Sequence, residues 1–277
     1  MPVLKTKNTG TVQSIERGCK ILDALGKRKQ SYSIQDLSSQ LNLPKPTIHR
    51  ILSTLRHFGF VAQDEVSKEY RLGFRLVELG YTVLDKIDLR KIAEPFLTKL
   101  ANRAEETVHL VILDQGEIAY LDKVEKVSDP RSLRMVSRIG MRNYTHSCAV
   151  GKVLLAPLSD DEKAEIVAQK GLPRMTKNTI VNLGQLNKHL ADVRAQDYAV
   201  DDEENEEGIR CVAAPVRNDQ GSVIAAISIS GPTVRMTEKR IHNELKTRVM
   251  KTALEISKKL GYKTDPLRKG GSYKPLR

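Results

Sequence analysis

The sequence predicts an α+β protein in two parts: three short helices with a hairpin, then a longer part in which helices surround a largely antiparallel sheet. Three observations carry this expectation. Apolar residues recur at helical spacing three times before residue 58, and two short β-type runs follow at once. Between residues 108 and 230, β-type runs separated by Asp-Gln-Gly and Asn-Asp-Gln-Gly turns alternate with helical stretches. The charge is also uneven. Residues 1–75 carry 13 Lys and Arg against 6 Asp and Glu, residues 76–260 carry 28 against 27, and residues 261–277 carry 5 against 1.

A chain of 277 residues is long enough for two cores, and 40% hydrophobic with 29% charged residues suits a globular protein. With no Trp and 4 Phe, those cores are expected to rest on Leu, Ile, Val and Ala. The opening MPVLKTKNTG lacks the apolar run of a signal peptide, and the apolar stretches near 108–113 and 223–229 are too short to span a bilayer. Cys19, Cys148 and Cys211 are odd in number and far apart, which argues against a disulfide framework. The expected location is the cytoplasm. Basic ends around a nearly neutral body point to a polyanionic partner for the N-terminal part.

The first helix is expected from Ile15, Cys19 and Leu22, with Ile21 and Leu25 beside them, ending at Gly26 and the basic run Lys27-Arg28-Lys29. Ser33 is a suitable N-cap for a second helix carrying Ile34, Leu37 and Leu41. Asn42-Leu43-Pro44 makes a turn into a third helix over Lys45–Phe58, where Pro44 and Pro46 are tolerable because a first turn has no intrahelical N–H partner to lose. Its expected apolar face is Ile48, Ile51, Leu52, Leu55 and Phe58. The opposite face offers Lys45, Thr47, His49, Arg50, Ser53 and Thr54, all able to bond phosphates or base edges. Gly59 closes it, and strands Phe60–Gln63 and Glu69–Leu72 flank the polar tip Asp64–Lys68. Helix, helix–turn–helix and hairpin in this order make a winged helix–turn–helix, whose third helix can lie in the major groove. Acidic Asp64 and Glu65 at the tip leave Ser67, Lys68 and Arg71 as the wing's candidate DNA contacts.

Phe74, Val77, Leu79, Tyr81 and Leu84 make a connector helix apolar on more than one side, as a dimer-forming linker would be. A helix over Leu89–Ala104 follows, with a kink or break expected at Pro95. Strands are then expected at Val108–Leu113, Glu117–Val124 and Leu133–Arg138. Helices follow at Ala149–Pro157, Asp160–Lys170 and Leu183–Gln196. Strands at Tyr198–Asp202, Cys211–Arg217 and Ser222–Ser230 and a helix at Glu238–Leu260 complete the chain. Ser228 and Ser230 share a strand face, a polar loop GMRNYTHSCAVGK leads into a helix, and Asp201–Gly208 is strongly acidic. Each alone is more simply a tolerated Ser pair, a helix cap or a solvated acidic loop.

In order, the segments TVQSIERGCKILDAL, LSSQLNLPKPTIHRILSTLRHFGFV, YRLGFRLVELG, THSCAVGKVLLA and YAVDDEENEEGIRCVAAPVRNDQGSVIAAISISGP resemble the isocitrate lyase regulator (IclR) family of bacterial transcription factors over about residues 11–260. That resemblance implies a winged helix–turn–helix DNA-binding domain at 1–73, a linker helix at 74–88 and a GAF-like effector-binding and oligomerisation domain at 89–262; beyond it, the basic tail at 263–277 is expected to be disordered. It implies homodimers or tetramers on a pseudo-palindromic duplex DNA operator, with repression as the expected mode, and control by a small carboxylate effector. No cofactor and no catalytic residue are implied. Carried onto matching positions, DNA contacts fall on Lys45, Pro46, Thr47, His49 and Arg50, with Arg17, Ser67 and Lys68 as lesser candidates. The effector set is Met135, Ala149, Val150, Asp201, Cys211, Ser228 and Ser230. The chain departs from the family pattern with Tyr144-Thr145 before His146, where a Pro is common, and with Ala149-Val150, where smaller residues are common.

Two other function classes stay open on residue types alone. Cys148 or Cys211 with His146 has the makings of a thiolate–imidazole pair, although no third orienting group stands at a recognisable spacing. His146, Cys148, Asp201 and Cys211 are donor types that zinc accepts, but they are scattered through the sequence.

Overall fold

A computed structural model describes residues 11–27, 31–85, 88–125 and 136–263. The chain divides into two compact units, one ending at Lys86 and the other beginning at Ile87.

The first unit contains α1 (Gln13–Lys27), α2 (Ile34–Leu41), α3 (Lys45–His57), β1 (Val61–Gln63), β2 (Tyr70–Leu72) and α4 (Arg75–Asp85). This is the winged helix–turn–helix. Ser33 caps α2 in a full capping box with Asp36, and Asn42, in the left-handed region at φ 51°, turns the chain toward α3. Ile21, Ala24, Leu25, Leu37, Ile48, Leu52, Val61 and Tyr70 form the small core. The inward face of α1 is rotated from the expected one. Ile15 and Cys19 are exposed, and Gly18, Ile21, Ala24 and Leu25 are buried. Gly18 lies on this buried face, with Ile51 of α3 at an ordinary contact distance of 3.8 Å from where a Cβ would sit. Phe58, expected inside, is exposed because α3 ends at His57.

The wing pairs β1 with β2 in register, and Tyr32 adds a bridge to Tyr70 from outside the hairpin. At its tip, Asp64 Oδ1 accepts from the amides of Val66 and Ser67 and from the Ser67 hydroxyl.

The second unit is built on one antiparallel sheet of order β5-β4-β3-β8-β7-β6: β3 (Thr107–Asp114), β4 (Glu117–Val124), β5 (Arg142–Tyr144), β6 (Ala199–Asp202), β7 (Ile209–Arg217) and β8 (Val223–Pro232). The α+β expectation holds. The strand expected at Leu133–Arg138 does not form where it is described: residues 136–138 are irregular, residues 133–135 lie outside the described residues, and the edge strand is β5 instead. Tyr198 falls just outside β6.

Because side chains alternate along a strand, the sheet has two distinct faces. Val108, Leu110, Val212, Ala214, Ile227 and Ile229 face α5 (Asp88–Ala104) and α10 (Lys246–Lys259). Val111, Leu113, Ile118, Ala213 and Ala226 face α6 (Ala149–Leu155) and α8 (Leu183–Gln196), with α7 (Asp160–Lys170) beyond. No break occurs in α5 at Pro95: the buried run Ala93, Leu97, Leu100 and Ala101 holds the helix through the lost hydrogen bond. The final helical stretch is not uniform. After α9 (Glu238–Arg240), Ile241–Leu245 makes one wider turn in which the Lys246 amide donates to the carbonyl five residues back. No described helix is long and apolar enough to cross a membrane.

Candidate functional site

The first unit presents α3 as its exposed polar edge. Lys45, Pro46, His49, Arg50, Ser53 and Thr54 are exposed and Thr47 is half-buried, while Ile48 and Leu52 hold the opposite side in the core. Arg17 of α1 lines the same groove of about 620 Å³ as Thr47, His49 and Arg50. A guanidinium on a neighbouring helix suits a phosphate contact beside a helix that reads bases. Lys68 is exposed at the wing tip with φ 59°. Ser67 is engaged within the wing: its hydroxyl donates to Asp64 and accepts from the Glu69 amide.

In the second unit, register brings polar side chains together on the inner sheet face toward α6. Asp201 of β6 pairs with Cys211 of β7, Cys211 with Ser230 of β8, and Ser228 with His109 of β3. These side chains are not individually solvated: Asp201 is 1% exposed, Ser230 2%, His109 2% and Ser228 3%. His109 Nδ1 lies 3.4 Å from each serine hydroxyl, the hydroxyls are 3.3 Å apart, and His109 Nε2 is 2.8 Å from Ser137 Oγ. Tyr120 of β4 stands edge-on to His109 with ring centroids 5.1 Å apart and hydrogen-bonds to Asn143. Ala149 and Val150, both buried, begin α6 on this side of the sheet. Met135 lies outside the described residues.

Burial dominates the electrostatics. It pushes the His109 imidazole down to about 3, helped by the Lys123 charge, so this histidine is neutral at physiological pH. It pushes the Asp201 carboxyl up to about 7, against the Lys152 charge that lowers it. Burial raises the Tyr120 hydroxyl and the Cys211 thiol well above their ordinary values and drives the Cys148 thiol up to about 12.

Burial thus favours the protonated form of both thiols, and the contacts of Cys148 and His146 lead elsewhere. Cys148 Sγ donates to the Tyr144 carbonyl, while His146 Nε2 faces the Pro173 carbonyl at 3.0 Å. No thiolate–imidazole pair forms. The four zinc-type donors are likewise not assembled: among the described residues no group of three or more His, Cys, Asp or Glu side chains is placed to hold a metal ion.

The acidic segment after β6 is a structural hub rather than a solvated loop. Glu204 is buried, and its carboxylate receives the Lys152 ammonium at 2.5 Å. Lys152, fully buried on α6, also donates to the Val200 carbonyl at 2.6 Å, so one cation ties α6 to the strand that carries Asp201. The Glu204 amide donates to Asp201 Oδ1 at 2.8 Å, and Thr179 Oγ1 donates to the Glu204 carbonyl. On the other side of α6, Gly151 packs against the Thr145 backbone so closely that a Cβ would meet the Thr145 carbonyl oxygen at 2.1 Å. Sequence reasoning missed His109, Tyr120, Lys152 and the Glu204 pairing. A histidine inside the apolar run of β3 and a lysine within AVGKVLLA are the signals that were available.

Residues 81–258 match the family profile described as "Bacterial transcriptional regulator IclR C-terminal", and residues 14–65 match the "IclR helix-turn-helix domain". The chain is 40% identical over 260 residues to the HTH-type transcriptional regulator KdgR of Dickeya chrysanthemi, covering 94% of this chain and 84% of that one. It is 37% identical over 254 residues to the HTH-type transcriptional repressor AllR of Escherichia coli (strain K12), covering 92% of each. The crystal structure of the Thermotoga maritima IclR superposes with a TM-score of 0.72 at 36% identity, covering 90% of this chain and 99% of that one.

Proposed function

The chain belongs to the IclR family of bacterial transcription regulators, and we propose that it is a DNA-binding repressor whose operator affinity is set by a small carboxylate bound in the second unit. In this reading residues 1–73 bind duplex DNA, residues 74–88 link and dimerise, and residues 89–262 sense the effector. Lys45, Pro46, Thr47, His49 and Arg50 read the operator, with Arg17 and Lys68 on the backbone. The observation that carries the sensing half is the polar patch of Asp201, Cys211, Ser228 and Ser230, beside His109, on a sheet face whose other side chains are mainly apolar. Small polar groups from three strands converge on one face and bond one another only at 3.3–3.4 Å where Ser228, Ser230 and His109 meet, an arrangement suited to hydrogen-bonding a small polar ligand.

An Asp201 carboxyl near half-protonation at neutral pH removes the objection that an acid would repel an anion: its protonated form donates to the effector. The exposed apolar residues Val77 and Leu79 on α4, with Phe74 just before it, support a dimer, and a dimer of winged helices calls for a pseudo-palindromic operator.

The test begins with an operator selected from a random duplex library by the purified protein. Small carboxylates are then screened for their effect on operator affinity. The double variant Ser228→Ala, Ser230→Ala is expected to lose the response while binding operator without effector within about twofold of the parent. A double variant that responds with parental affinity places the pocket elsewhere. One that fails to bind DNA without effector makes the serines structural.

A further inference from the structure

His109 carries no role in the reading above, yet it sits against both proposed effector serines. Three features set it apart from an ordinary core histidine. It is the polar residue in the inward-facing series that continues as Val111 and Leu113 along β3. Its Nε2 is anchored by Ser137 at 2.8 Å, a normal hydrogen-bond length, whereas its Nδ1 faces two hydroxyls at 3.4 Å each. Moreover, Ser228 Oγ, Ser230 Oγ and His109 Nδ1 meet one another only through long contacts of 3.3–3.4 Å.

The counting follows from donor and acceptor capacity. A neutral imidazole offers one N–H and one lone pair, and the Ser137 contact uses one of them. If Nδ1 is the lone pair, one serine donates to it and the second serine donates to the first, leaving hydroxyl lone pairs at the rim as acceptors. If Nδ1 carries the hydrogen, it donates to one serine, and at least one hydroxyl proton is left to donate elsewhere. Either way the triangle holds unused capacity, at lengths beyond the 2.7–2.8 Å typical of O–H···O bonds. A polar atom placed among the three groups would complete them. A hydroxyl fits this place, because it can donate to the free lone pairs and accept a free hydroxyl proton, whereas a carboxylate can only accept. Tyr120, edge-on to the imidazole and linked to Asn143, holds the other side of the ring.

Building on the effector-controlled reading, we propose that His109 is the specificity-determining residue of the effector site, bonding, together with Ser228 and Ser230, a hydroxyl group of the effector, so that the pocket selects hydroxylated acids over their deoxy counterparts. Ser137 is its positioning residue, since it sets which ring nitrogen faces the serines.

The experiment titrates the full-length protein by calorimetry with chain-matched pairs: propanoate against lactate and glycerate, butanoate against 3-hydroxybutanoate, and hexanoate against gluconate. At least one hydroxylated member is expected to bind tenfold or more tightly than its deoxy partner. In His109→Phe that ratio is expected to fall below about threefold, in protein that still melts cooperatively. Ser137→Ala, at a half-buried position, is expected to reduce the ratio severalfold while the protein still melts cooperatively, which guards against misfolding of the first variant. A parental protein that prefers no hydroxylated member of any pair overturns the proposal, as does a folded His109→Phe or Ser137→Ala that keeps the full preference. The Ser228→Ala, Ser230→Ala variant separates the two readings. If it loses binding while the His109 and Ser137 variants keep their preference, the site stands and only the role of His109 fails. If it binds every acid as the parent does, the site itself is misplaced.

Discussion

Two buried side chains on one sheet face carry opposite pH signatures. His109 has a folded value of about 3 against an ordinary 6.5, so below about 6.5 the unfolded chain holds a proton that the native one lacks. Its contribution is present above 6.5 and is lost as pH falls through about 3. Asp201 has a folded value of about 7 against 3.8, so between those values the native chain holds the extra proton. Its contribution is present below 3.8 and is lost as pH rises through about 7. From about pH 4 to 6.5 the two slopes oppose each other, each up to about 1.4 kcal/mol per pH unit. Relative to the parent, His109→Gln should lose melting temperature as pH rises through that window, and Asp201→Asn should gain it. Thermal melts across pH 4 to 7 check both signs, and parallel curves for all three proteins would contradict the assigned burial. Gly151→Ala belongs to the same scale. Its Cβ would fall 2.1 Å from the Thr145 carbonyl oxygen, so backbone must move, at a cost on the order of 1–3 kcal/mol by urea denaturation.

At the scale of elements, α6 and β6 are joined by the Lys152–Glu204 pair and α3 stands alone as a reading surface. Lys152→Met leaves the Glu204 carboxylate buried without its cation, which should destabilise the second unit by on the order of 3–5 kcal/mol. Adding Glu204→Leu should restore much of that loss, because the main cost is the uncompensated charge. A double variant no more stable than the single one would show that the pair matters through packing instead. For α3, Arg50→Ala should weaken operator binding by on the order of 1–3 kcal/mol if the guanidinium reads a base edge. Arg17→Ala should instead weaken binding to all sequences alike and lower the salt slope by about one. Anisotropy titrations at several salt concentrations separate these outcomes.

For the whole molecule, the start of α4 is one place where apolar side chains lie uncovered close together: Phe74, just before the helix, is 73% exposed, Val77 58% and Leu79 39%. An exposed apolar run of this kind marks a partner surface. Sedimentation at micromolar concentration should give a dimer or larger, and Val77→Glu should shift it toward monomer and weaken binding to a two-half-site operator far more than to one half-site. A monomeric parent would contradict this.

The sequence by itself determined the two-part α+β organisation, the helix–turn–helix and nearly every strand, because periodicity and turn residues are local signals. Ser33 with Asp36, Asn42 and Gly116 each terminate or turn the chain through their own backbone preferences, and all of them can be read without a fold. Tertiary structure decided the rest. The inward face of α1 is set by packing against α3, where Gly18 lies beside Ile51, a contact between segments more than thirty residues apart. Lys152 and Glu204 look like two solvated charges in the sequence and become a buried pair only when β6 is laid beside α6. His109 reads as an odd residue in an apolar strand until the register of β3 against β8 sets it between Ser228 and Ser230. Such polar placements cannot be read locally, since burying a charge or an imidazole is unfavourable unless a partner distant in the chain is there to meet it.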